Sequence, residues 1–326
     1  MKKIQVAVIG VGYLGRFHAQ KYAMLPEVDL TAVVDIDAQQ ARRVAGECGC
    51  KAYSDYKNIL SGIDAVSIAV PTQYHHRVAA DFLDYGVDVL LEKPISPSVA
   101  EAEDLIGRAE KKDCVFQIGH LERFNPAYLA TVPYLNSPIF IDSKRTAGFN
   151  PRGTDVDVVL DLMIHDLDII LHSVQSPVAE IQATGGRIAT KTNDMVSARL
   201  VFENGATAEV TASRVSRSNS REMRIFQDRT FLHLDFGNKK LTRVQLLAER
   251  EENGMPRQTV SKESFSESDA LLVEIQSFLE AVRMRKQPVV SGKEACSALD
   301  VALKILKQVE EQQKKPVFTT LQNEPV

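Results

Sequence analysis

Apolar and polar positions in the first 120 residues alternate between short apolar runs and stretches with helical spacing. The apolar runs predict strands at 4–9, 30–34, 64–70, 87–91 and 115–118. The stretches between them predict helices at 13–25, 37–48, 74–85 and 98–111. Nearly continuous apolar strands that alternate with helices are typical of a parallel sheet covered on both faces. This half therefore predicts a doubly wound α/β domain with its ligand site at the carboxyl ends of the strands.

From about residue 179 the apolar pattern changes to a period of two, which is typical of antiparallel strands with one covered face. It predicts strands at 181–189, 196–202, 206–213, 221–226 and 231–236. A long apolar helix at 157–174 precedes them, and amphipathic helices at 269–285 and 292–312 follow. The chain is thus predicted to contain a parallel α/β domain over 1–121 and an α+β domain with a large, mostly antiparallel open sheet over 122–326. The helix at 292–312 is expected to pack back on the first domain.

The first predicted strand runs directly into the motif Gly10-x-Gly12-x-x-Gly15, which opens the first helix. Gly10 allows a tight turn, Gly12 lets the main chain approach a pyrophosphate, and Gly15 lets the helix pack close to its strand. The helix start also presents unpaired N–H groups and the positive end of a dipole. The glycines and the first helical residues, Tyr13 and Leu14, therefore predict a dinucleotide site.

The second predicted strand ends on Asp35, about 20 residues beyond the last glycine. A carboxylate at this place accepts hydrogen bonds from the ribose hydroxyls of NAD and repels the 2′-phosphate of NADP. NAD is therefore expected rather than NADP. The alternative is that Asp35 only caps the next helix, although Asp37 is better placed for that role.

Two further strand ends carry unusual residues. The loop from Pro71 to His75 is expected to cover the nicotinamide half of the cofactor. The sequence Glu92-Lys93-Pro94 places a lysine at the mouth of the sheet, and the bond before Pro94 is predicted to be cis, as in other tight functional turns. A lysine at a strand end is usually a solvated surface charge. Its position after a central strand assigns Lys93 to the ligand site instead.

The apolar helix at 157–174 carries one polar stripe, formed by Asp161, His165, Asp168 and His172. Ionisable groups on a buried helix are costly unless they are paired or line a cleft. Three interpretations remain: a satisfied polar network, a metal ion held by Asp161, His165 and Asp168, or acid–base chemistry. Acid–base chemistry is preferred, because His165 titrates near neutrality and a carboxylate one turn away can orient it.

Composition narrows the range of partners. The chain has 326 residues, 44% of them hydrophobic, with a net charge of −4 and a pI near 6.0, which argues against a nucleic-acid or anionic-membrane partner. The four cysteines lack zinc-ligand spacing and suit a reduced cytoplasm. No apolar run approaches the length of a membrane span. A cytoplasmic enzyme of two domains is therefore expected.

Taken together, these motifs resemble the glucose-fructose oxidoreductase and inositol dehydrogenase family (Gfo/Idh/MocA). The resemblance covers nearly the whole chain and rests on the glycine turn, Asp35, Pro71 with His75, Glu92-Lys93-Pro94, and Asp161-x-x-x-His165. It implies an NAD-binding Rossmann domain joined to a C-terminal domain on an open sheet that provides the interface of a homodimer or homotetramer. It also implies that Lys93, Asp161 and His165 act at the nicotinamide.

The segment 119–126, together with 226–228 and 232–235, further resembles a subgroup that acts on UDP-N-acetylglucosamine at its 3-hydroxyl. The resemblance implies substrate contacts from His120, Arg123 and Asn125, and Arg152 is expected to contribute from a loop at 144–155 that folds over the substrate or is simply exposed. Many members of the family have Gly-x-x-Gly near residue 228, where this chain has Asp228-Arg229-Thr230. That departure weakens the transfer of a substrate from the simple-sugar enzymes.

The resulting hypothesis is a hydride transfer from a sugar secondary alcohol to NAD. His165 takes the hydroxyl proton, Lys93 stabilises the developing alkoxide, and Asp161 orients His165 or the hydroxyl. The alternatives are a dehydrogenase of inositol or a simple aldose, an NADP-dependent carbonyl reductase, and an NAD(H)-binding regulatory protein without catalysis.

Overall fold

The computed structural model describes residues 2–150, 156–265 and 268–314, and the chain divides into two compact units. Unit 1 consists of Met1–Leu121 and Asp269–Cys296, and unit 2 consists of Glu122–Ser268 and Ser297–Val326. The division after Leu121 lies where the sequence placed the domain boundary. Residues 269–296, however, belong to unit 1 and not to the second domain as expected.

Unit 1 is built on a six-stranded sheet that is parallel throughout. Its strands are β1 (Ile4–Ile9), β2 (Val28–Val34), β3 (Lys51–Tyr53), β4 (Ala65–Ile68), β5 (Asp88–Glu92) and β6 (Phe116–Gly119). The helices that connect them are α1 (Tyr13–Met24), α2 (Ala38–Cys48), α3 (His75–Asp84) and α4 (Val99–Lys112). The strand order β3-β2-β1-β4-β5-β6 reverses direction at β1, which confirms the doubly wound Rossmann arrangement.

Unit 2 is built on an eight-stranded open sheet in the order β14-β13-β12-β11-β7-β10-β9-β8. Its strands are β7 (Phe140–Thr146), β8 (Val178–Gly186), β9 (Met195–Phe202), β10 (Thr207–Ser213), β11 (Ser220–Gln227), β12 (Thr230–Asp235), β13 (Lys240–Arg250) and β14 (Pro256–Ser264). Only β7 and β10 pair in parallel, so the predicted α+β fold with a mostly antiparallel sheet is confirmed. The helices are α5 (Pro126–Thr131) and α6 (Ile164–Val174).

The last two helices fall in different units. Helix α7 (Ala270–Met284) packs Ile275, Phe278 and Leu279 into the core of unit 1, which explains why 269–296 belong there. Helix α8 (Gly292–Gln313) begins in unit 1, but its apolar residues Val301 and Ile305 lie in the core of unit 2. This differs from the expectation that 292–312 packs on the first domain. The apolar stripes of α7 and α8 show that each helix covers a core, but they do not show which core.

Two features of unit 2 lacked a sequence signal. Strands β13 and β14 form a long hairpin in which Leu241 is the one buried residue, so they show no sustained alternation of buried apolar and exposed polar positions. The helix predicted over 157–174 begins with a π-helical turn at Val159–Met163 before it continues as α6. Among the described residues, no helix has the length and apolar character needed to cross a membrane.

Candidate cofactor and catalytic site

The three glycines of the turn in unit 1 have different structural roles. Gly10 has φ +78°, and a Cβ on Gly15 would lie 1.8 Å from the carbonyl oxygen of Gly10, so the fold itself requires both glycines. A Cβ on Gly12 would meet no protein atom within 4 Å. The space over Gly12, at the open N-terminus of α1, is therefore left for a ligand, and it fits the pyrophosphate of a dinucleotide.

Asp35 follows β2 at the edge of this turn. Its carboxylate accepts hydrogen bonds from the main-chain N–H of Val11 at 2.9 Å and of Asp37 at 3.0 Å. The cap of α2 is Asp37, which accepts from Gln39 and Gln40, so Asp35 does not serve as the helix cap. These contacts hold a half-buried carboxylate where the ribose of a dinucleotide binds in this fold.

A cleft of about 410 Å³ opens beside Asp35. It is lined by Gly12, Tyr13, Arg16, Phe17, Asp35, Asp37, Gln40 and Arg43. Both arginines are already paired, since Arg16 donates to Glu47 at 2.8 Å and Arg43 donates to Gln40 at 2.8 Å. The carboxylate of Asp35 in this cleft favours ribose hydroxyls over a 2′-phosphate.

His75 joins the two loops that follow β4 and β5. Its imidazole is 1% exposed, with Nδ1 2.8 Å from the carbonyl oxygen of Pro94 and Nε2 2.8 Å from that of Val70. Burial lowers the pKa of His75, although the two carbonyl contacts oppose that change. His75 therefore fastens these loops with its ring, and the sequence had assigned it to the loop that covers the cofactor.

The Lys93–Pro94 peptide bond is cis, as predicted from the sequence. Lys93 follows the last residue of β5 and is half-buried, whereas Pro94 is buried. The carboxylate of Glu92 points into unit 1, where a hydrogen bond of 3.0 Å joins its Oε1 to Nε2 of His18. Of the two charged residues in this motif, Lys93 is more accessible to solvent than Glu92.

The polar stripe of unit 2 separates into two pairs. Asp168 accepts from the Arg123 guanidinium at 2.7 Å, and both side chains are 2% exposed. His172 Nδ1 lies 2.6 Å from the hydroxyl of Tyr128. Asp168 and His172 thus belong to a polar network, and Asp168 is already occupied by a cation. Asp161 and His165 are both half-buried.

The π-helical turn contains Asp161, and His165 follows it in the first turn of α6. Its start is fixed by Asp157, whose carboxylate accepts from Val159 N at 3.0 Å and from the side-chain amide of Asn193 at 2.8 Å. A π-helical turn changes the angular phase between Asp161 and the residues of α6. Such turns occur frequently at functional sites, and the single α-helical period assumed from the sequence did not include one.

The other predicted substrate residues are mostly engaged inside the protein. His120, Arg123 and Asn125 are each less than 10% exposed. Asn125 caps α5 through its Oδ1 and donates from Nδ2 to Glu122 at 3.0 Å. Arg152 lies outside the described residues.

Sequence reasoning missed a buried ion cluster in unit 2. Arg145 donates to both carboxylate oxygens of Asp166 and, at 2.7 Å, to Glu122. Burial alone would lower the pKa of Arg145, but the two carboxylates raise it above its usual value. The sequence had placed Arg145 in the predicted loop at 144–155, either over the substrate or simply exposed, whereas it is a buried residue of β7 that holds α6.

Comparisons with known proteins agree on one relationship. Residues 4–120 match the profile "Oxidoreductase family, NAD-binding Rossmann fold", and residues 136–233 match "GFO/IDH/MocA C-terminal domain". The chain is 37% identical over 312 residues to UDP-N-acetylglucosamine 3-dehydrogenase of Acidithiobacillus ferrooxidans, covering 95% of this chain and 98% of that protein. It is 26% identical over 321 residues to scyllo-inositol 2-dehydrogenase (NAD(+)) of Bacillus subtilis, covering 92% of each.

Solved structures show the same similarity. A structure of UDP-N-acetylglucosamine 3-dehydrogenase from Acidithiobacillus ferrooxidans superposes with a TM-score of 0.91 at 36% identity, covering 97% of this chain and 100% of that one. Levoglucosan dehydrogenase, at 16% identity and a TM-score of 0.84, shares the fold.

Proposed function

The chain belongs to the Gfo/Idh/MocA family of NAD-binding oxidoreductases, as its motifs predicted, and on this basis we propose that it oxidises a secondary hydroxyl of a nucleotide sugar with NAD. UDP-N-acetylglucosamine, oxidised at its 3-hydroxyl, is the proposed substrate. The observation that carries this choice is the 37% identity, over 95% of the chain, to a dehydrogenase of that nucleotide sugar. Relatives named for inositol are more distant, as the 26% identity to the Bacillus subtilis protein illustrates.

NAD fits the residues of unit 1. The open space over Gly12 suits the pyrophosphate, and Asp35 offers a fixed carboxylate to the ribose. Tyr13 and Leu14 stand at the exposed start of α1 beside that space. NAD supplies the hydride acceptor when it is bound.

The catalytic roles follow from the chemistry of three side chains. His165 accepts the hydroxyl proton of the substrate, and Lys93 stabilises the negative charge that develops on the same oxygen. Asp161 orients His165 or the hydroxyl. NAD, held over Gly12 and beside Asp35, would accept the hydride from the C–H bond, and His165 would take the O–H proton, so the balanced products would be a ketone, NADH and one proton.

The positions of Pro71, His75, Glu92 and Pro94 support Lys93 in this role. His75 ties the carbonyl of Pro94 to the loop after β4, and Glu92 is anchored by His18. A half-buried ammonium on a turn held from two sides keeps its position during the reaction. We assign His75 and Glu92 to positioning the turn and the cofactor rather than to the chemical step.

The test measures NAD binding and turnover separately. Purified protein with NAD and UDP-N-acetylglucosamine should form NADH, followed by its absorbance, whereas inositols and glucose should react poorly. Lys93→Met should lower turnover by about 100-fold or more, since it removes one charge stabiliser of the transition state. Its affinity for NAD, measured by calorimetry, should stay close to that of the wild type.

Lys112→Met, at an exposed lysine in the last turn of α4, is the matched control and should change neither quantity. Wild-type turnover in Lys93→Met would contradict the assignment of Lys93. NAD binding without oxidation of any of these sugars would favour the non-catalytic alternative.

We further propose that the enzyme is a cytoplasmic homodimer or homotetramer that associates through the open sheet of unit 2. One face of this sheet packs against the core of unit 2 and carries the buried side chains of Met223, Ile225 and Leu232. The opposite face carries a row of aromatic rings in tilted contact on β7, β11 and β12, in which Phe226 lies between Phe140 and Phe231. A partly exposed aromatic row on one face of a sheet is a suitable core for an interface between copies.

A further inference from the structure

Unit 1 buries an imidazole and two carboxyl groups directly beside the turn that carries Lys93. We name His18, Glu92 and Glu274 the buried carboxyl cluster. Glu274 on α7 is 0% exposed, His18 on α1 is 1% exposed, and Glu92 at the end of β5 is 8% exposed. One side-chain nitrogen or oxygen atom of each lies within 4.8 Å of those of the other two.

Two of the three members have hydrogen-bond partners. Glu92 is joined to His18 Nε2 at 3.0 Å, and His18 Nδ1 lies 3.3 Å from Ser67 Oγ. Ser67 is in turn 2.8 Å from the hydroxyl of Tyr22, so the chain of contacts runs back into α1. These contacts tie the end of β5 to the helix that begins at the glycine turn.

Glu274 is the exception. Within the part of the chain that the structure describes, neither oxygen of its carboxyl group has a hydrogen-bond partner, although both are buried. Its main-chain carbonyl accepts a hydrogen bond from Gln117 Nε2 at 3.3 Å. An ionised carboxylate in this place would be unpaired and within about 5 Å of a second carboxylate, and both conditions favour the neutral acid.

We propose that Glu274 is a protonated, uncharged carboxylic acid that serves as a positioning residue for the Glu92–Lys93–Pro94 turn. Its role in turnover rests on the function proposed above, whereas its protonation does not. A neutral Glu274 lets Glu92 keep its bond to His18, while an ionised one would repel Glu92 at short range. Burial, and to a smaller extent the charge of Glu92, raise the pKa of Glu274 well above its usual value.

The groups that face Glu274 come from four elements. Helix α1 contributes His18 and Tyr22, β5 contributes Glu92, and the neutral side chains of Ser67 and Gln117 come from β4 and β6. Burial raises the pKa of Tyr22, and the proximity of Glu274 adds to that effect. Tyrosine and serine supply no cation, and even a cationic His18 would balance only one carboxylate, that of Glu92 to which it is hydrogen-bonded. A proton on Glu274 supplies the remaining charge balance.

Thermal unfolding of the apo protein tests the protonation. The folded-state pKa of Glu274 is raised above its unfolded value, so the wild type loses stability as pH rises from about 4.5 through the folded pKa. Glu274→Gln mimics the neutral acid and has no such loss. The Tm of Glu274→Gln relative to the wild type should therefore rise by about 3 °C for each unit of pH above about pH 5, until the folded-state pKa of Glu274 is passed.

Glu280→Gln is the matched control, because Glu280 is an exposed glutamate on the same helix with a surface ion pair to Lys286. Its Tm difference from the wild type should stay flat over this range. A flat difference for Glu274→Gln as well would overturn the protonation. A divalent metal that copurifies in equimolar amount with the wild type and is absent from Glu274→Gln would also overturn it, since these three side chains are possible metal ligands.

Turnover tests the positioning role. Glu274→Ala should lower kcat by about tenfold, and Glu274→Gln should restore most of that loss because it keeps the shape and the neutral state. Equal losses in both variants would overturn the role. If no variant turns over any nucleotide sugar, the proposed function fails, whereas the pH dependence of Tm still decides the protonation.

Discussion

His75 provides the sharpest test of how unit 1 supports its cofactor loops. The imidazole is 1% exposed and lies 2.8 Å from two main-chain carbonyl oxygens, those of Val70 and Pro94. Burial keeps the pKa of His75 below its usual 6.5, so the ring is neutral at pH 7 and donates one hydrogen bond. His75→Ala removes this donor and the packing of the ring at the same time.

The expected cost follows from these contacts. A buried carbonyl that loses its donor costs about 1–3 kcal/mol. The cavity left by a ring that was nearly completely buried costs about 2 kcal/mol more. We expect His75→Ala to destabilise unit 1 by about 4 kcal/mol, which corresponds to a fall in Tm of about 10 °C.

The assay combines thermal unfolding with calorimetric titration of NAD. His76→Ala is the control, because His76 is the next residue of α3 and makes a partly exposed contact of 2.8 Å with the carboxylate of Asp104. Such a surface pair contributes about 0–1 kcal/mol, so the control should lose little stability and no NAD affinity. His75→Ala should bind NAD more weakly, because the loops after β4 and β5 are no longer fastened to each other.

The pH dependence gives a second readout. Since the folded-state pKa of His75 is below the unfolded value, its stabilisation is complete above about pH 6.5 and is lost as pH falls through the folded pKa. The difference in Tm between the wild type and His75→Ala should therefore shrink in mild acid. Equal effects of His75→Ala and His76→Ala on Tm and on NAD binding would refute this reasoning.

Three further predictions concern the cofactor preference, the core of unit 2 and the assembly. Asp35→Ser should weaken NAD binding and reduce the preference for NAD over NADP, and an unchanged ratio of the two Kd values would contradict the ribose assignment. Asp166→Asn leaves Arg145 buried with less opposing charge and should cost about 3–5 kcal/mol in urea unfolding, so a loss below about 1 kcal/mol would contradict a stabilising ion cluster. Phe226→Arg should shift the mass measured by light scattering toward the monomer, and an unchanged mass would exclude this face as the interface.

The features predicted well from sequence depend on local signals. The turn at Gly10 and the cis bond before Pro94 are set by residues adjacent in the chain, and the place of Asp35 follows from a fixed spacing. Apolar periodicity likewise predicted both sheets, because each strand that covers a core carries its own pattern. Polar strands such as β13 and β14 carry none, and they were missed.

The features missed in the site depend on partners that are distant in sequence. Asp168 lies on the same helical face as His165, which is why the sequence suggested a functional role for it. In the structure it forms a buried ion pair with Arg123, which is distant in sequence. Glu274 lies on an amphipathic helix, and the residues of that helix do not reveal which of the two domain cores it packs against. A glutamate between apolar positions is a weak signal of burial, and only the positions of His18 and Glu92 give it meaning.

These contacts link cofactor binding and catalysis within unit 1. Lys93 lies between two anchored neighbours, since Glu92 is held by His18 on α1 and the carbonyl of Pro94 is held by His75 on α3. Helix α1 begins at the glycine turn that fits the pyrophosphate, so a displacement of His18 would move both the phosphate site and the lysine turn. Substitutions that disrupt the buried carboxyl cluster, such as Glu274→Ala, should therefore change NAD affinity and kcat together, whereas a change at Lys93 itself should affect kcat alone.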